Sequence, residues 1–399
     1  MELKPGYKMT EAGVIPEDWE VNCIKNIAEI KTGGKNTQDS ISGGKYPFFV
    51  RSQTVERINT YSFDGEAVLT AGDGVGTGKI FHYINGKFDY HQRVYKISNF
   101  SNQLNGYFFY LYFSNYFYDR IMQMTAKSSV DSVRMEMIAD MPIALPPISE
   151  QQAIAAALSD VDELLSSLDQ LIAKKKDIRL ATMQELLTGK TRLPGFGGSW
   201  SRKRLEELAE INPENLSAST PSNYEFNYIA LEDVSKGHLL KFSHYSFADS
   251  PVRARRIIKP KDILVSTVRP NLKSHLLATD NENNWICSTG FCIVRCHKNL
   301  VEPAYVYHSL FTDDIEYQIK LIVTGSNYPA INSSDVTNLK IYLPSSLAEQ
   351  QAIASVLSDM DAEIEALEAR RDKVRHIKAG MMQELLTGKT RLISSGERA

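Results

Sequence analysis

The chain has 399 residues, 43% hydrophobic and 23% charged, with a formal net charge of −3. That balance belongs to an ordinary globular protein long enough for two or more domains, each with its own core. It excludes a disordered chain, and the near-neutral charge argues against binding nucleic acid by bulk electrostatics alone. No apolar run reaches the roughly 18 residues of a membrane span, Met1-Glu2-Leu3-Lys4-Pro5 lacks the layout of a secretory signal, and four cysteines are too few for a disulfide framework. A cytoplasmic protein without membrane association is expected.

In chain order, residues 1–147 read as an α+β domain. Tyr46–Val50, Ala67–Leu69 and Lys79–Tyr83 have the composition of strands, and the aromatic run Tyr107–Tyr118 that of a helix whose rings serve mainly as core. The glycine-rich stretch Ala71–Lys79 invites a phosphate-loop reading but fails on spacing. Asp73 stands where a Walker loop needs glycine, Ile80 follows Lys79 where Ser or Thr is required, and Thr77 breaks the dinucleotide pattern. A flexible turn whose backbone can approach a ligand remains.

Residues 148–193 read as one long helix, because Ile154, Leu158, Val161, Leu165, Leu168 and Ile172 step by four and three, a coiled-coil seam. Gly189 occupies the place of a C-cap glycine, which gives about 38 residues or roughly 57 Å. Residues 194–346 form a second α+β domain, with strands expected at Phe226–Leu231, Asp262–Val265 and Phe291–Arg295. Cys287, Cys292 and Cys296 with His297 lack zinc-knuckle spacing, and Cys292, Val294 and Cys296 fall on one face of a strand. Pro251–His275 carries seven bases against Asp262 alone, a candidate phosphate-facing strip. Residues 347–399 return to helix with Ile353, Leu357, Met360, Ile364 and Leu367 as the seam, weakened at Gly380.

The two helical segments are copies. Glu150–Leu193 recurs without a gap as Glu349–Leu392, and both copies end in the string Met-Gln-Glu-Leu-Leu-Thr-Gly-Lys-Thr-Arg-Leu. Such a tandem duplication suggests a target that is itself read twice. Ile172 in the first copy corresponds to Arg371, and Lys175 to Val374, so the imperfect seams favour antiparallel pairing of the two helices within one chain. The two domains are dissimilar inside but share edges: Trp19 through Ile30 matches Trp200 through Ile211, and Val133, Ile138, Met141 and Ile143 match Ile331, Val336, Leu339 and Ile341.

No catalytic constellation is evident. Asn212-Pro213-Glu214-Asn215 lacks the second proline and aromatic of an adenine-methyltransferase box, and neither His-Glu-x-x-His nor Gly-x-Ser-x-Gly occurs. No catalytic or metal-ligating residue is assigned.

Two dissimilar domains alternating with two repeated helices, the first bearing Leu145-Pro146 and then Ser149-Glu150-Gln151-Gln152-Ala153-Ile154-Ala155, resemble the DNA-specificity subunit of type I restriction-modification systems. The resemblance covers nearly the whole chain. It implies two target-recognition domains, each reading half of a split double-stranded DNA site, and an antiparallel coiled coil that fixes their spacing. It also implies docking of two methyltransferase subunits and, through them, restriction subunits, with S-adenosylmethionine, ATP and Mg bound by those partners and no cofactor in this chain. Candidate readers in the first domain are Arg51, Ser52, Gln53, Lys79, His91, Gln92, Arg93, Lys127, Ser128 and Ser129. Those in the second are Arg253, Arg255, Arg256, Arg269, Asn271, Lys273, Ser274, Ser326, Asn327 and Tyr328, Arg and Gln being suited to guanine and adenine edges. The unlike domains predict an asymmetric target. A self-contained restriction or modification enzyme and a scaffold without a DNA role are the alternatives.

Overall fold

The computed structural model describes residues 4–124, 132–278, 284–325 and 329–392. The chain divides into two compact units, 1–168 with 370–399, and 169–369, so each long helix contributes to both. Among the described residues no helix is long and apolar enough to cross a membrane.

The first unit is built on a six-stranded sheet in the order Glu29–Thr32, Val94–Ser98, Phe63–Ala71, Phe81–Tyr90, Tyr46–Phe49, Glu56–Ile58. Only Tyr46–Phe49 and Phe81–Tyr90 run parallel. Side-chain alternation divides the central strand between two cores. Val68 joins Ile97 beneath Phe108, Phe109 and Phe113 of the helix Gly106–Met124, while Ala67 and Leu69 face Phe49 and Phe88. The expected strand at Lys79–Tyr83 begins only at Phe81. Lys79 and Ile80 belong to a turn, both donating their N–H to the Gly76 carbonyl.

The second unit carries a four-stranded antiparallel sheet in the order Ala209–Ile211, Phe291–Cys296, Ile263–Ser266, Leu276–Leu277. This repeats the first four strands of the other unit's sheet in order and direction. A separate sheet, Ser243–Ser246, Glu225–Ile229, Trp285–Ser288, Ala254–Ile258, has no counterpart of the same order among the described residues of the first unit. Leu231 leaves the expected strand and opens a 3-10 turn, because the Asp233 carboxylate accepts the Ala230 N–H. Cys292, Val294 and Cys296 do share a face and lie in one core, where burial pushes the thiols of Cys292 and Cys296 up to about 11 and about 12. They pack as protonated hydrophobes.

Each domain closes with an antiparallel ribbon, Glu20–Cys23 on Pro142–Leu145 and Trp200–Arg204 on Lys340–Pro344, and a long helix follows, Ile148–Leu186 and Leu347–Leu385. Gly189 and Gly388 follow those helices with φ of +70° and +67°, the left-handed conformation glycine adopts without cost. The apolar stripe has two roles. Ile154 and Leu158 belong to the first unit's core and Ile353 and Leu357 to the second's, since the helices grow directly out of their ribbons. Further along, Leu168, Ile172 and Ile364 are buried while Val161, Leu165, Met360 and Leu367 are half-buried. Polar pairs show the helix segments antiparallel within each unit: Glu150 with Arg391 and Asp162 with Lys378 in the first, Lys176 with Glu368 and Arg179 with Asp361 in the second.

Candidate nucleic-acid interface

In the first unit three separate segments converge beside the six-stranded sheet. The chain leaving Tyr46–Phe49 presents Arg51, Ser52 and Gln53, the glycine loop presents Asp73, and the turn before Val94–Ser98 presents His91, Gln92 and Arg93. His91 N–H donates to the Phe49 carbonyl at 2.9 Å, and Gly72 N–H to the Arg93 carbonyl at 2.8 Å, which draws the segments together. A Cβ at Gly72 would meet the Arg93 carbonyl and the Tyr95 ring at 3.0 Å, so this close approach is suited to glycine. Arg51 Nη1 donates to Asp73 Oδ1 at 2.9 Å, and Arg93 Nε lies 3.8 Å from Asp73 Oδ2. Gln92 Nε2 donates to Asn36 Oδ1 at 2.6 Å.

Not every candidate faces solvent. His91 is 5% exposed and its Nδ1 accepts the Arg93 N–H at 2.9 Å. Burial, then the neighbouring Arg51, lowers its pKa, so the neutral ring supports the turn from beneath. Ser52 Oγ donates to the Thr54 carbonyl, while Gln53 is exposed. Lys79 lies apart, its ammonium 4.7 Å from the Tyr118 ring centroid. Lys127, Ser128 and Ser129 fall outside the described residues, as do Ser326, Asn327 and Tyr328 of the second domain.

In the second domain the counterpart of the glycine loop is the segment after Ile263–Ser266. Val133 N–H donates to the Gly72 carbonyl and Ile331 N–H to the Thr267 carbonyl, while Asp73 bridges Ser132 and Val268 bridges Ala330. Arg269 and Lys273 flank the turn Pro270–Leu272 with φ of +49° and +53°, a strained conformation for residues with a Cβ. Asn271 is exposed and Ser274 half-buried. Lys273 Nζ lies 2.7 Å from Glu316 Oε2, whose pKa it lowers.

The basic strip carries less free charge than its composition implies. Arg256 Nη1 donates to Asn215 Oδ1, Arg255 stacks over the Phe247 ring at 5.0 Å, and Lys259 pairs with Glu214, which holds that carboxyl below its ordinary value. Arg253 remains exposed, lining a cleft of about 390 Å³ with Tyr228, Glu232 and Tyr245. Residues that composition could not single out are the partners: Asp73, Asn36, Glu214 and Glu316. Only Asp73 carried a signal, an acid set inside a glycine loop.

The repeated strings build the helix junctions. Thr188 and Thr387 hydroxyls donate to the carbonyls of Gln184 and Gln383 at 2.6 Å, and Thr191 and Thr390 hydroxyls to Glu185 and Glu384, closing each helix end. Beyond the cap, Arg391 grips the fully buried Glu150 through Nε at 2.7 Å and Nη2 at 2.8 Å, and Arg192 grips the fully buried Glu349 at 2.9 and 2.5 Å. Gln151 and Gln350 then fasten each helix start to its domain, donating to Pro146 and Pro344 carbonyls and accepting the N–H of Asn105 and Glu302. The acid opening one repeat therefore holds the arginine closing the other.

A family model described as the type I restriction modification DNA specificity domain matches residues 16–175 and again 198–376. The two matches take up most of the sequence, and the chain belongs to this family. The type I restriction enzyme EcoDI specificity subunit of Escherichia coli is 23% identical over 390 residues, covering 90% of this chain and 84% of that one. A putative type I restriction enzyme specificity subunit, MjaX, of Methanocaldococcus jannaschii is 24% identical, covering 97% of each. The crystal structure of the type I restriction-modification S subunit from M. genitalium shares the fold, with a TM-score of 0.65 at 16% identity over 96% of this chain and 99% of the other. The chain is accordingly of the specificity-subunit type, with the DNA-recognition role that the family carries.

Proposed function

We propose that this chain reads a split, asymmetric double-stranded DNA site, one half through each recognition domain. It docks two methyltransferase subunits and, through them, restriction subunits in the cytoplasm. S-adenosylmethionine, ATP and Mg belong to those partners, and this chain contributes recognition without catalysis. One observation carries the reading. Two units share a four-stranded framework and the same helix junction, yet their loops at the equivalent sheet end differ in charge and conformation, Asp73 in one and Arg269 with Lys273 in the other. A common scaffold with unlike reading loops is what two different half-sites require.

The test is single-molecule methylome sequencing of a host without other methyltransferases that expresses this chain with its methyltransferase partner. A split, asymmetric methyladenine motif is the expected result. An active partner that leaves no motif would remove the specificity assignment. Turnover by the chain alone with S-adenosylmethionine or Mg would replace it with a self-contained enzyme.

A further inference from the structure

Asp73 is an unexpected residue at a surface that would meet DNA. Its side chain is 24% exposed, whereas those of Arg51 and Arg93 are 44% and 65% exposed. The carboxylate is therefore less exposed than either guanidinium group near it. It cannot swing away freely, because the loop carrying it is pinned on both sides, by Gly72 N–H on the Arg93 carbonyl and by the bridge from Asp73 to Ser132. The neutral, buried His91 ring fixes the backbone of Arg93 from below. Asp39 is the other acid whose charge reaches His91.

From this arrangement, and resting on the function proposed above, we propose that Asp73 is the specificity-determining positioning residue of the first recognition domain. It aims Arg51 at guanine, with Arg93 beside it at the longer distance of 3.8 Å, so the half-site read by this domain contains an obligatory guanine. Two physical arguments carry it. An arginine held by a carboxylate has already lost much of its rotamer freedom and presents its planar donor fork in a fixed orientation, which suits the paired acceptors of guanine. A free arginine on a loop goes mostly to phosphate, but a carboxylate within the cluster is repelled by phosphate. The same carboxylate tolerates the floor of the major groove, where the cytosine amino group donates. The second domain has Val268 at the equivalent bridge, so this device belongs to the first half-site alone.

The experiment uses the full chain with its methyltransferase partner and compares wild type with Asp73→Ala, Arg51→Ala and Arg51→Lys, by methylome sequencing and competitive binding to substituted duplexes. Asp73→Ala is expected to relax one guanine position in one half-site, lowering discrimination there about ten-fold or more, the worth of a bidentate contact. The other half-site stays intact. Arg51→Lys keeps the charge and the exposed position but loses the fork, and so should relax the same position while weakening binding to cognate duplexes more than to non-cognate ones. An unchanged motif with binding weakened equally on all sequences, and a shallower salt dependence, would make Arg51 a phosphate contact and overturn the proposal. Relaxation at an adenine or thymine overturns the guanine assignment. A wild-type complex that methylates without any motif fails earlier, at the specificity reading itself.

Discussion

The two helix junctions keep one chemistry within the molecule, and the loops at the two equivalent β-bridges do not. At the junctions, positions related by the repeat carry the same kinds of side chain: Arg391 on Glu150 and Arg192 on Glu349, with Asp162 on Lys378 and Asp361 on Arg179 nearby. At the sheet ends, equivalent positions hold Asp73 and Val268. The difference teaches where constraint comes from. A carboxylate with no solvent access needs its charged partner in place, because burying it alone costs several kcal/mol. A solvent-exposed loop has no such obligation and is free to vary.

The largest effect should come from breaking the junctions, and it should be unequal. Glu349 receives its charged hydrogen bonds from Arg192, whereas Glu150 also accepts from Trp19 Nε1 at 3.2 Å and from the Leu392 N–H at 3.3 Å. Arg192→Ala is therefore expected to destabilise its unit by roughly 3–5 kcal/mol, and Arg391→Ala by about 1–2 kcal/mol less. Hydrogen exchange of the ribbons, 200–204 against 20–23, measures each locally. Arg391 also donates to the exposed Asp18 at 2.9 and 2.7 Å, a pair that water screens, so equal losses would mean that the extra donors on Glu150 do no more than offset the loss of that pair.

Next in size is an acid response larger in the second unit, since burial lowers His82 and His91 of the first unit as well but by less. His275 and His308 of the second unit are buried, and desolvation lowers both to about 4; His275 Nε2 has no partner among the described residues and His308 faces both Arg179 and Asp361. With folded pKa values below the unfolded value near 6.5, the unfolded chain takes up protons first as pH falls. The stabilisation is thus complete above about pH 6.5 and lost between there and about 4, by up to about 3 kcal/mol for each histidine. Exchange at Ile263–Ser266 and Pro303–Ser309 should accelerate at pH 5 beyond the intrinsic change, and His308→Gln should flatten part of the response. Loss of protection first in the other unit would contradict this.

What could be read from the sequence follows from the range of the interactions involved. The long helices were legible because period, length and the closing glycine are local properties, and the shared edges because Trp19 with Trp200 and Ile143 with Ile341 fall under one packing requirement, but the ribbons at those edges were not, since they pair segments more than 100 positions apart. The split of the apolar stripe was not, since a four-and-three spacing looks the same whether the neighbour is a domain core or a helix. Ile154 lies in a core, and Ile172 is buried farther along the same stripe. The cluster around Asp73 was half visible. Arg51 and Arg93 could be named from chemistry, but their convergence on Asp73 depends on three segments distant in sequence being drawn together by backbone hydrogen bonds. The Arg391 to Glu150 grip spans 241 positions. Its only trace was that both partners lie inside repeated strings.

The smallest effect sharpens the comparison from the other side. Lys176 and Glu368 pair at 2.6 Å, much as Arg179 and Asp361 do at 2.7 Å, and all four residues lie on the helix segments of the second unit. Their surroundings differ. Lys176 is 54% exposed, whereas Arg179 is 17% exposed, makes a two-pronged contact with Asp361 and lies 3.5 Å from the buried His308. Water and salt screen the first pair, so Lys176→Ala should change stability by no more than about 0.5 kcal/mol and less still in high salt. Arg179→Ala strips a half-buried carboxylate of its partner and should cost about 1.5–3 kcal/mol. Denaturant titrations of the two variants at low and high salt give both numbers. If Lys176→Ala proved as costly as Arg179→Ala, exposed charge pairs rather than desolvated ones would be holding these helices in register, and the constancy of the buried junctions would need another cause.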